Sequence, residues 1–140
     1  MFATKYRIRS LTPTIRAKLY PYLVGTGQAL GIQVLAVNGV EDHLHLLISL
    51  PSNISLSEAV KKLKANSSRW LKEEFGQEKF AWQTGYSAFS VGLGAFEHTR
   101  HYIESQVEHH KRRDFKTEMA HMLEQHGMDI SALSWFEVTT

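Results

Sequence analysis

The sequence predicts an α+β fold, an antiparallel sheet with helices on one face and further helices toward the C-terminus. Three observations predict it. Two apolar runs, Ile32 to Val37 and Leu44 to Leu50, flank an Asn38-Gly39 pair, which is a hairpin signature. Segments with helix-start signals, at Thr12-Pro13 and at Ser55, stand on either side of that hairpin. Short strand-like segments, Phe2 to Arg9 and Tyr86 to Val91, lie outside both helices.

In order, Phe2 to Arg9 alternates loosely and reads as a short strand. Thr12 is an N-cap with proline at the first helical position, and the helix should run to about Leu30, its last turns weakened by Gly25 and Gly27. Ile32 to Val37 has a buried-strand pattern, and its partner, Leu44 to Leu50, is ended by Pro51. Ser55 and Glu58 form a capping box opening an amphipathic helix, with Leu56, Val60, Leu63, Trp70 and Leu71 on its apolar face and Gly76 as its stop. Tyr86 to Val91 reads as the last strand.

Gly92 and Gly94 then break the chain before a helix from about Ala95 to Arg112, whose buried stripe is Phe96, Ile103 and Val107. Asp114 can cap a final helix, Phe115 to His126, ended by Gly127. In the tail, Leu133, Trp135 and Phe136 point to a docked segment. The strand and helix order is the β-α-β-β-α-β order of ferredoxin-like folds. With no repeat, low-complexity stretch or linker, residues 1–140 are expected to form one domain: a core over about 1–92, a helix over about 95–112, and a C-terminal helix and tail over 114–140.

At 43% hydrophobic and 21% charged residues, the composition is that of an ordinary globular protein. The absence of cysteine excludes a disulfide framework and a thiolate metal site. No apolar run is long enough for a membrane span, and Met1 does not open a signal-peptide pattern, so a cytoplasmic location and no membrane partner are expected. Net charge is only +2, but the cations cluster. Lys5, Arg7, Arg9, Arg16 and Lys18 precede the first acid, Glu41; Lys61, Lys62, Lys64, Arg69 and Lys72 form a second group and Lys111, Arg112 and Arg113 a third. Such clusters suit a polyanion, although taken alone they more often describe a solvated surface.

His43 and His45 lie two apart in a strand, so both side chains point the same way and can grip one divalent ion. Taken alone, the pair reads more readily as two half-exposed histidines on a polar sheet face. Tyr102 and Gln106 are four apart on a helix and share a face beside its apolar stripe, where a tyrosine ring can pack while its hydroxyl stays open. His98 and His101 read as surface residues, and no general base stands out. Trp70 and Trp82 read as core residues, with base-stacking platforms as the other possibility.

The segments AVNGVEDHLHLLISLP, LKANSSRWLKEEF, WQTGY and HYIESQVEHHKRRDF together resemble the HUH (histidine–hydrophobic–histidine) single-tyrosine transposases of bacterial and archaeal insertion sequences. The likeness runs from about Phe2 to Gly127. It implies that His43, His45 and Gln106 are metal ligands and that Tyr102 is the nucleophile. It also implies metal-dependent cleavage and rejoining of single-stranded DNA through a 5′-phosphotyrosine intermediate. Two imidazoles, an amide oxygen and phosphate oxygens suit Mn²⁺ well and Mg²⁺ acceptably, and no other cofactor is expected. The implied partners are single-stranded DNA with hairpin ends, gripped by Lys61, Lys64, Arg69 and Lys72, and a second copy of the chain. Gly92 and Gly94 would suit a hinge, and Tyr102 could act within its own chain or across a dimer. Family members usually carry several residues before the motif that appears here as FATKYR, so the first strand is expected to be shortened and the sheet weakened. Two other functions fit less of the pattern. A non-catalytic ferredoxin-like nucleic-acid-binding protein has no need of all four residues, and a zinc hydrolase would need a third strong ligand.

Overall fold

A hairpin that buries both its histidines forms the centre of the sheet. The computed structural model describes residues 1–106 and 115–125. In chain order they form β1 (Phe2–Ala3), a 3₁₀ turn (Lys5–Arg7), α1 (Pro13–Ala29), β2 (Gln33–Gly39), β3 (His43–Ser49), α2 (Leu56–Phe75), a second 3₁₀ turn (Leu93–Ala95), α3 (Phe96–Glu104) and α4 (Phe115–Gln125). The strands make an antiparallel sheet in the order β1-β3-β2, with Ala3 opposite His43 and Asn38 opposite His45.

Both core helices start on local chemistry, and α2 also stops on it. Thr12 Oγ1 accepts from Ile15 N at 3.3 Å and Pro13 follows, where its missing N–H costs nothing. Ser55 Oγ accepts from Glu58 N at 3.1 Å, and Gly76 ends α2 in the left-handed region at φ 62°. One face of the sheet packs on these helices: Phe2 and Leu44 join Leu19 and Leu23 of α1 and Val60, Leu63 and Leu71 of α2. Trp82 is buried there and donates to Ser67 Oγ at 3.0 Å; Trp70 stacks on Tyr22 at 4.7 Å. Both tryptophans are thus spent on packing. The opposite face carries α3, where Ile103 meets Ala36 and Leu47, with Phe96 and Tyr102 packed against them.

Three expectations are corrected. The first strand stops at Ala3, because Tyr6 and Arg7 take left-handed backbone angles that no strand accommodates. Asn38-Gly39 is not the hairpin turn: both residues pair within the ladder, and Val40 N→His43 O at 3.1 Å closes the turn one step later. Gly39 is required there for space, since a Cβ would lie 2.2 Å from His43 O.

Residues 86–91 form no strand. The chain does run antiparallel to β1, through a Thr4–Trp82 bridge and paired bonds between Met1 and Ser87 (N→O 2.8 and 3.0 Å). An unbroken ladder would set Met1 opposite Gly85, so the intervening segment bulges, with Gly85 at φ 90°. The helix expected to Arg112 ends at Glu104, where Ser105 leaves helical angles at φ −101°, ψ 23°. Val107, the third basic cluster, Asp114, Gly127 and the tail lie outside the described residues. Among the described residues no helix is long and apolar enough to cross a membrane.

Candidate active site

The strand alternation that sends Leu44 into the main core turns His43 and His45 to the α3 face. Both imidazoles are almost wholly buried, and their ring centroids lie 5.3 Å apart. Asp42, the residue just before the pair, faces Nδ1 of His43 with Oδ1 at 2.8 Å. A carboxylate only accepts, so Nδ1 carries the proton and Nε2 keeps the lone pair. Asp42 stood in the D-H-L-H motif but not among the expected site residues; its signal was adjacency to His43.

α3 brings Tyr102 to this pair, and Gln106 follows two residues past the helix end. The Tyr102 ring stands edge-on to His45 with centroids 6.0 Å apart, in the same chain. One helical turn later, Gln106 is fully buried, and its Nε2 donates to Tyr102 O at 3.4 Å. Gln106 Oε1 and His45 Nε2 are the buried side-chain polar atoms that receive no hydrogen bond among the described residues, although both side chains have other contacts. A buried amide oxygen left this way costs about 1–3 kcal/mol unless something else approaches it. His98 and His101 are exposed, as expected.

The end of α3 is fastened by Asn38, a residue that sequence reasoning assigned to a turn. Its Nδ2 donates to Glu104 O at 2.9 Å, while its Oδ1 accepts from Tyr20 OH at 3.1 Å and from Gly39 N at 2.9 Å. One carboxamide therefore joins α1, β2 and α3 beside the histidines. Burial pushes the Tyr20 hydroxyl above its ordinary pKa, so it stays a donor.

The basic residues divide. Lys61 and Lys72 are exposed on α2, and Arg69, also exposed, donates to Asn66 Oδ1 at 3.2 Å. Lys64 turns inward: its Nζ donates to Gln83 O at 2.6 Å and Gly85 O at 2.8 Å, and burial lowers its pKa. Arg16 is likewise occupied, donating to Leu11 O at 2.5 Å and lying 3.8 Å from Glu41. Among the described residues no three His, Cys, Asp or Glu side chains gather as a metal cluster, so a third ligand beside the histidines would be the Gln106 amide.

Comparison with known proteins gives concordant matches. The family described as "Transposase IS200 like" matches residues 1–106. The chain is 30% identical over 117 residues to the transposase for insertion sequence element IS200 of Salmonella typhimurium, covering 79% of this chain and 76% of that protein. It is 27% identical over 112 residues to the ISDra2 transposase TnpA of Deinococcus radiodurans, covering 76% of this chain and 80% of that one. A crystal structure from Deinococcus radiodurans R1, provisionally assigned as a transposase, superposes with a TM-score of 0.62 at 26% identity, covering 75% of this chain and 85% of that chain.

Proposed function

Because this chain belongs to the IS200-like transposase family, we propose that it cuts and rejoins single-stranded DNA with Tyr102 as nucleophile, at a divalent-metal site made by His43, His45 and Gln106. The observation that carries this reading is the meeting of α3 with β3: the Tyr102 ring beside His45, and the buried Gln106 carboxamide with no donor for its oxygen. The donor set fits the metal chemistry. Two neutral imidazoles and one amide oxygen, without thiolate, favour Mn²⁺ or Mg²⁺ over a structural zinc. A zinc hydrolase finds no third strong ligand among the described residues.

The chain's own residues have distinct tasks. Asp42 holds His43 in the tautomer whose Nε2 can bind metal. Asn38 holds the last turn of α3 against the sheet. The Tyr102 hydroxyl attacks phosphorus and gives up its proton. The P–O3′ bond breaks, and the departing 3′ oxygen takes up a proton, leaving a 5′-phosphotyrosine. Attack by another 3′-hydroxyl reverses the exchange and frees the tyrosine without ATP. A bound divalent ion would supply Lewis-acid stabilisation of the charge on the phosphate. The same reading includes a ferredoxin-like sheet, a homodimer and hairpin-ended single-stranded DNA as partner.

Incubation with labelled hairpin single-stranded DNA and Mn²⁺ tests it. The wild type is expected to give a denaturation-resistant protein–DNA band. Tyr102→Phe is expected to lose that band and keep DNA binding; an undiminished band from the variant, or cleavage by wild type in chelator, would sink the reading.

A further inference from the structure

We propose that Tyr6 is a stacking platform for an unpaired base of single-stranded DNA at the edge of the candidate active site, an inference that rests on the transposase reading above. Among the described residues, Tyr6 and Arg7 are the non-glycine residues with positive φ, at 59° and 54°. Two successive residues in this region cost free energy, and such strain persists where surrounding contacts over-determine it. Those contacts are present. Lys5 N→Ala81 O at 3.0 Å, Arg7 N→Thr4 O at 3.1 Å and Thr4 Oγ1→Ile8 O at 2.9 Å pin the turn, and the Arg7 guanidinium donates to Oε1 of the buried Gln83.

What the strained turn holds up is an aromatic ring that is 63% exposed and adds little to any core. Lys5 Nζ lies over the ring, 5.4 Å from its centroid, and Lys5 and Arg9, within three residues of Tyr6, are both exposed. No acid occurs between Met1 and Val40, and the two that follow, Glu41 and Asp42, face Arg16 and His43, so Lys5 and Arg9 suit a polyanion. A ring flanked by cations is the combination that binds single strands, with the base on the ring and phosphates on the cations.

The turn is also continuous with the histidine strand. Thr4 N donates to Asp42 O at 2.8 Å, and Ala3 pairs with His43. Three Cα steps and one strand spacing put the Tyr6 Cα within about 17 Å of the His43 Cα. A strand whose phosphate sits at the histidines can therefore extend to the ring.

The test uses a short fluorescein-labelled single strand of mixed sequence, an abasic strand of equal length, and anisotropy in chelator. Tyr6→Gly removes the ring and suits the left-handed backbone, so folding is preserved. It is expected to bind the base-bearing strand about tenfold more weakly than wild type. It should match wild type on the abasic strand, while Tyr6→Phe should match wild type on both. Equal affinity of wild type and Tyr6→Gly for the base-bearing strand, or the same loss on both strands, would overturn the assignment. If wild type still forms the covalent adduct in that case, only the role of Tyr6 falls. If wild type neither binds nor forms the adduct, the transposase reading falls with it.

Discussion

The bond between Asp42 and His43, 2.8 Å long and largely shielded, gives one carboxylate control over which imidazole nitrogen can act. Asp42→Ala leaves His43 buried but free to change tautomer, and removing such an outer partner typically costs about 10–100-fold in metal affinity. The Mn²⁺ concentration for half-maximal adduct formation is expected to rise by that factor, with the maximum recovered at saturation. An unchanged midpoint would show that the carboxylate does not orient the ligand. Gly39 carries a different constraint. An added Cβ would lie 2.2 Å from His43 O and 2.6 Å from Leu44 Cδ2, so Gly39→Ala must push the two strands apart. A loss of about 1–3 kcal/mol is expected in a denaturant titration. The sequence marked Gly39 as a turn residue through its neighbour Asn38. Its real demand is steric and comes from the facing strand, which no local pattern reports.

Between elements, the Asn38 side chain acts as a fastener. Asn38→Ala removes the donor to the exposed Glu104 O and one acceptor of the Tyr20 hydroxyl, which keeps Gly39 O at 3.5 Å. It is expected to cost about 1 kcal/mol of stability and to lower adduct yield while single-strand binding holds. Asn38→Asp keeps the bond from Tyr20 but sets a negative charge against the C-terminal carbonyls of α3. It should therefore lose adduct yield as fully as Asn38→Ala; an active Asn38→Asp would show that the tie to Glu104 does not position Tyr102. The starts of α1 and α2 were legible because Thr12-Pro13 and Ser55-x-x-Glu58 act within one turn of chain. The outer strands were not, since a left-handed Tyr6 and a bulge at Gly85 are imposed by contacts from Gln83 and Met1 across the fold. Tyr102 and Gln106 were legible as residues four apart on a helix, but the place of Tyr102 beside His45 depends on how α3 docks, through Ile103 on Ala36 and Leu47 and through the Asn38 bond.

For the whole molecule, net charge says less than which cations remain available. Arg16, Arg7 and Lys64 are occupied by Glu41 and Leu11, by Gln83, and by two carbonyls of the 83–85 segment. Lys61 and Lys72 are exposed, and three turns of α2 apart they fall on one stripe about 16 Å long. Each phosphate neutralised on a single strand adds about −0.7 to the slope of log affinity against log salt. The double variant Lys61→Ala, Lys72→Ala is therefore expected to flatten that slope by about 1.4, with thermal stability changed little. Lys64→Met should do the reverse. Its slope should match wild type, because that ammonium already serves Gln83 O and Gly85 O, while stability should fall by about 1–3 kcal/mol as those carbonyls lose their charged donor. A flattened slope for Lys64→Met at unchanged stability would mean that Lys64 leaves the carbonyls to meet DNA, and the division between structural and binding cations would have to be redrawn.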